Sequence, residues 1–169
     1  MRLIALLAVL VAAFHGGRAG ADEACGPLFV IERSLNANVV LYEAGLRSDG
    51  TLDPANPVRV TWRLDAEDGR RAGLNVIERT RAYGVDVVPL GEPDVWRIRV
   101  RALPTRPLVL RAGAGCPLVI AEVAGREAIL LRVFVTSTGG LIPRVSSVDF
   151  SGLDLETSLP VRERFVPSL

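Results

Sequence analysis

Val58-Arg59-Val60-Thr61-Trp62-Arg63-Leu64 alternates apolar and polar residues without a break. Successive side chains of an extended strand point to opposite faces, so Val58, Val60, Trp62 and Leu64 share one face and Arg59, Thr61 and Arg63 the other. Trp96 to Val100 repeats the pattern, with Trp96, Ile98 and Val100 inward and Arg97, Arg99 and Arg101 outward. Working outward, Leu28 to Arg33 and Val39 to Glu43 read as strands joined through Ser34-Leu35-Asn36-Ala37-Asn38. Leu108 to Arg111, Leu118 to Val123, Ile129 to Thr136 and Arg144 to Phe150 continue the series, and a looser tail follows. Short apolar runs punctuated by Gly, Pro, Asn and Asp are the mark of a β meander. The expected fold is mainly β: a single antiparallel β barrel or curved β sandwich of about eight strands with one short helix. Barrels of that size can hold one small ligand, and Val60, Trp62, Trp96 and Ile98 are the expected lining.

The helix is expected at Val76 to Tyr83. Asn75 suits the N-cap, Glu78 falls three residues later as in a capping box, and Gly84 suits the C-terminal stop. Val76-Ile77-Glu78-Arg79-Thr80 nearly repeats Val30-Ile31-Glu32-Arg33-Ser34. A strand and a helix do not share a backbone, so the likeness is not a structural repeat. Its chemistry is two Glu-Arg pairs, and a carboxylate emerging at the edge of a core must be paired, hydrogen-bonded or protonated. The expectation is crosswise pairing, Glu32 with Arg79 and Glu78 with Arg33. Asn36, Asn38, Tyr42, Glu43 and Tyr83 lie near enough in sequence to join this polar cluster, either as a ligand site or as a structural network. For the two asparagines turn chemistry is the simpler role.

The N-terminus, MRLIALLAVLVAAFHGGRAGADEACG, places Arg2 before an apolar run from Leu3 to Phe14 and ends in an Ala19-x-Ala21 cleavage signal. This is the grammar of a secretory signal peptide, residues 1–21, leaving one β-rich domain at residues 22–169. The apolar run is shorter than the roughly 20 residues a stable membrane span needs. Cys25 lacks the preceding residues of a lipid-attachment signal. The expected product is exported, periplasmic or extracellular, with no stable membrane anchor after cleavage. In an oxidising compartment, Cys25 and Cys116, each just ahead of an apolar strand, are expected to form a disulfide.

Composition excludes several chemistries. Loss of Arg2 and Arg18 turns a whole-chain charge of +1 into about −1, without the basic excess that nucleic-acid binding requires. The chain has no lysine, hence no Schiff base, and its one histidine, His15, lies in the segment expected to be removed. That excludes Ser-His-Asp and Cys-His catalysis and histidine-ligated zinc. Asp49-Gly50-Thr51-Leu52-Asp53 lacks the ligand pattern of a calcium loop and reads as a turn. No cofactor, metal or catalytic residue is assigned.

Leu28 to Tyr42, with Asp49-Gly50, Asp53-Pro54, Asn56-Pro57-Val58, Trp62, Ile77-Glu78-Arg79 and Ala82-Tyr83-Gly84, resembles an uncharacterised bacterial family, domain of unknown function 4833. The resemblance spans roughly residues 27 to 156 and implies no activity. Three functions are therefore weighed. The leading one is a non-enzymatic module that binds a small molecule or an envelope protein. The others are an envelope structural or assembly protein, and a hydrolase or lyase using Glu32 and Glu78 as acid and base.

Overall fold

A computed structural model describes residues 25–113, 115–139 and 144–167. The segment expected to be cleaved, residues 1–21, lies outside them. The described residues form eleven strands: β1 (Phe29–Arg33), β2 (Asn36–Ala44), β3 (Val58–Leu64), β4 (Arg70–Gly73), β5 (Val85–Pro89), β6 (Val95–Val100), β7 (Leu108–Arg111), β8 (Leu118–Val123), β9 (Arg126–Thr138), β10 (Arg144–Asp154) and β11 (Pro160–Phe165). They form a curled open sheet, a half-barrel, in the order β4-β3-β2-β1-β9-β8-β7-β6-β5, with β10 and β11 branching from β9. The fold is thus mainly β, as expected, but with eleven strands rather than about eight. The additional strands are β4, β5 and β11; the last occupies what reads as a loose tail.

The branch at β9 shapes the molecule. β10 pairs along one edge of β9, from Ala128 to Thr138. The other edge is shared in succession, with β8 on Arg126 to Ile129 and β1 on Arg132 to Val135. β8 runs antiparallel to β9 and β1 parallel to it, so both begin near Leu131 and run apart. At this fork the partners of Ser151 and Gly152 are Arg132 and Leu130, which leaves Leu131 bulged out of the ladder. A bulge bends its strand and sharpens the local twist. Gly152 lies at the same bend, where an added Cβ would come within 2.3 Å of the Ile129 carbonyl oxygen. Cys25 and Cys116 precede the two diverging strands and are bonded, with their Cα atoms 5.3 Å apart. The bridge therefore joins two strands that start at one point and diverge, rather than two paired neighbours.

The inward faces set by alternation are buried or half-buried. Trp62 and Trp96 are buried, and Ile98, Val100, Leu108, Leu110, Val119, Leu130 and Val133 are fully so. Phe29 and Tyr42 stack across the β1–β2 pair with ring centres 4.2 Å apart. The short helix begins at Val76. Its cap is reciprocal, as expected: Glu78 N–H donates to Asn75 Oδ1 and Asn75 N–H donates to Glu78 Oε2, each at 2.9 Å. From Glu78 to Ala82 the chain then widens into a π-helix, with Tyr83 N–H donating to the Glu78 carbonyl at 2.7 Å. Arg79 O closes over Gly84, where an added Cβ would lie 1.8 Å from that oxygen. Gly84 serves close approach as well as termination.

Because the bend at the fork leaves no room for a side chain, Gly152→Ala is expected to cost roughly 2 kcal/mol or more of unfolding free energy, while Gly113→Ala, which meets open space, stays within about 0.5 kcal/mol of the parent. Urea denaturation of both variants checks this; equal midpoints would show that the bend tolerates a side chain.

Candidate ligand site

Glu32 and Arg33 leave β1 on opposite faces, so the two charges have separate fates. On the outer face Glu32 accepts from Arg132 Nε at 2.7 Å, and the Arg132 guanidinium lies 4.7 Å from the Phe134 ring centre. Asp149 and Arg164 continue this outer face with hydrogen bonds of 2.7 and 3.1 Å, and the donated bonds hold the Asp149 carboxyl below its usual range. On the inner face, Arg33 follows Phe29 and Ile31. Its guanidinium carbon sits 5.0 Å from the Trp62 ring centre and 5.4 Å from that of Tyr83.

The expected crosswise pairs do not form. Glu32 is taken by Arg132, and Arg79 donates to the Leu74 carbonyl at 3.3 Å. Glu78 is committed to the Asn75 N–H and to the Trp62 indole N–H, at 2.9 and 3.1 Å. The physical reason is alternation: Glu32 faces outward while Glu78 closes the inner side against Trp62, so Glu32 and Glu78 share no cleft. Asn36 Oδ1 accepts from Asn38 N–H and Asn38 Oδ1 from Ala66 N–H, which is turn and loop chemistry. Glu43 pairs with Arg71. Asp49 is spent on the backbone and hydroxyl of Thr51, as suits a turn. Of the outward arginines on β6 and just beyond it, Arg97 and Arg99 are exposed and Arg101 pairs with Asp86.

What does assemble is an aromatic and cationic group: Arg33, Tyr42, Trp62, Glu78 and Tyr83. Trp62 and Tyr83 meet edge to face at 5.3 Å. The Tyr42 hydroxyl donates to the Tyr83 carbonyl at 2.9 Å. Burial raises the Tyr83 phenol, with the nearby Arg33 opposing and Glu78 adding to the shift.

Two members of this group, Arg33 and Tyr83, line a pocket of about 720 Å³, with the other three behind them. Ile31 and Arg33 of β1, Val133 and Val135 of β9, Val148 and Phe150 of β10, and the β6–β7 connection from Ala102 to Pro107 enclose it. The expected lining is not the observed one, since Trp62 and Ile98 are packed into the core with Val60 against them. Trp96 borders two smaller clefts, of about 350 and 370 Å³. A second arginine lines the large pocket. Arg106 is bonded through both terminal nitrogens to Glu163, at 2.9 and 2.7 Å, and lies 4.2 Å from the Phe150 ring centre. Its pairing holds Glu163 below the ordinary carboxylate range. Arg132, Arg106 and the pocket itself escape sequence reading because their partners lie far along the chain, 100 residues in the case of Glu32 and Arg132.

The family model for a domain of unknown function, DUF4833, matches residues 29–164. The chain belongs to this family. The DUF4833 match takes in both Ile-Glu-Arg segments, every described strand except the last residue of β11, and the pocket wall apart from Phe165 and Pro167. Nothing among curated proteins or solved structures matches the chain.

Tyr42 supplies a pH test of this cluster. Burial, and to a lesser degree the neighbouring Tyr83, push its pKa far above the ordinary 10.0. The fold holds the neutral phenol while the unfolded chain ionises, so this stabilisation is complete below about pH 10 and is lost progressively above it. Tyr42→Phe is expected to cost about 1 kcal/mol at neutral pH through the lost hydrogen bond. It should also show a shallower fall in urea midpoint between pH 9 and pH 11.5 than the parent. Parallel pH profiles would contradict the burial of the Tyr42 hydroxyl.

Proposed function

We propose that this chain is a non-enzymatic binding module, exported from the cell, that holds a small and mainly apolar molecule in the pocket between β9, β10 and the β6–β7 connection. The observation that carries the reading is the pocket, about 720 Å³ and walled chiefly by aliphatic and aromatic side chains around a few polar groups. That volume and lining suit a site for a small organic molecule. Export is supported by the signal-like N-terminus and by the Cys25–Cys116 bond, which suits an oxidising compartment. No described helix is long and apolar enough to cross a membrane.

A second reading, docking of an envelope protein, draws support from β11. Among the described residues this strand pairs with β10 alone, and Leu159 and Phe165 are well exposed beside its other edge. Such an edge is a ready template for an added strand.

The test uses the neutral fluorophore N-phenyl-1-naphthylamine. The parent is expected to take it up with a rise in fluorescence, and Val135→Trp, which fills the pocket, should weaken uptake at least 10-fold with the circular dichroism spectrum unchanged. Failure of the parent to bind the probe, or undiminished binding by Val135→Trp, would sink the pocket reading.

A further inference from the structure

We infer that the pocket's ligand carries a single carboxylate, and that Arg33 is the residue that recognises it. This rests on the pocket reading above and names the chemistry of its ligand. Alternation along β1 sets Arg33 on the inner face, behind Phe29 and Ile31, where it lines the pocket. Its Nε is buried and has no hydrogen-bond partner among the described residues. Among the described residues no carboxylate lies within ion-pairing distance of its guanidinium, whereas Arg63, Arg106, Arg132 and Arg164 each hold one. Glu78, the carboxylate brought nearby through Trp62, is already committed to the indole and to the Asn75 N–H.

A cation in a partly buried place is stabilised only by what surrounds it, and Arg33 has the rings of Trp62 and Tyr83. Contact with ring faces uses up no N–H donor, so the donors of the guanidinium stay available to a ligand. A planar fork of donors matches a carboxylate through two parallel hydrogen bonds. The count of charges narrows the choice. Arg106, the other arginine of the pocket, is paired with Glu163, and Glu122 adds a carboxylate to the lining, so among the described residues Arg33 is the one cation of the pocket without a carboxylate partner. That balance favours a monoanion over a phosphate dianion. The apolar part of the wall, which includes Ile31, Val133, Val135, Val148 and Phe150, calls for a hydrocarbon or aryl body. The ligand class is an amphiphilic monocarboxylic acid.

The experiment is displacement of N-phenyl-1-naphthylamine from the disulfide-bonded protein by decanoate, 1-decanol and decyl phosphate at neutral pH. Decanoate is expected to displace the probe at concentrations at least 10-fold below those of decanol and below those of decyl phosphate. Arg33→Gln should erase the acid-over-alcohol preference. Arg33→Lys, which keeps the charge without the planar fork, should restore part of it and guards against a trivial loss of fold. Equal displacement by acid and alcohol in the parent, or a preference that survives Arg33→Gln, overturns the inference while leaving the pocket reading intact. Tighter displacement by decyl phosphate overturns the assignment to a carboxylate. If the neutral probe never enters the parent protein, both readings fall together.

Discussion

A β-strand has two edges, and β9 gives one of its own to two different partners. β10 satisfies one side of β9 along nearly its whole length, so β8 and β1 must share the other. Both cannot lie flat in the same sheet at the point where they meet. The sheet therefore splits there, with β1, β2, β3 and β4 leaving in one direction and β8, β7, β6 and β5 in the other. The half-barrel follows from this single constraint. So does the pocket, which opens where the inner faces of β1, β9 and β10 are crossed by the β6–β7 connection. Bulged Leu131 and the bare backbone of Gly152 are the local devices that let the chain make the turn.

Charge placement follows the same logic of faces. The outer surface near β9 is a lattice of paired arginines and carboxylates lying over Phe134 and its neighbours. Such exposed pairs each contribute little to stability, but their long side chains cover apolar surface and keep the broad face of the sheet soluble. Inside, polar groups are few and nearly all are answered: Tyr42 by a carbonyl, Trp62 by Glu78, Arg106 by Glu163. Arg33 stands apart because, among the described residues, its partners are rings alone.

Sequence reading was strongest where one face of a strand is buried and the other wet. β3 and β6 were legible to the residue or nearly so, because Trp62, Trp96 and Ile98 impose a period of two between arginines. β4, β5 and β11 were not, and all three are sheet edges. Arg70–Gly73 has little apolar content, and Pro89 and Pro160 sit at the end of one strand and the start of another. Proline is tolerated at such places but reads as a break. The short helix was visible in its capping residues, while its π-helical turn has no comparable local signature. The gathering of the candidate cluster is half legible. Arg33, Tyr42, Glu78 and Tyr83 do gather, yet their pairing could not be derived, because local sequence carries no information about which of several arginines reaches Glu32 across 100 residues.

The bridge between Cys25 and Cys116 ties the chain at the fork, across a sequence separation of 91. Everything from β1 to β7, with Arg33, Trp62, Tyr83 and Arg106, belongs to a covalently closed ring, and β8 to β11 lie outside it. Tension applied along the chain from Cys25 toward β11 would pass from sulfur to sulfur and enter β8 directly. The backbone of the ring would carry none of it, and β1 and β7 would feel the pull only through their hydrogen bonds to β9 and β8. Mechanically the molecule is two parts in series, a tail of four strands that can be drawn out and a looped body, holding the aromatic wall of the pocket, that is bypassed by the pull.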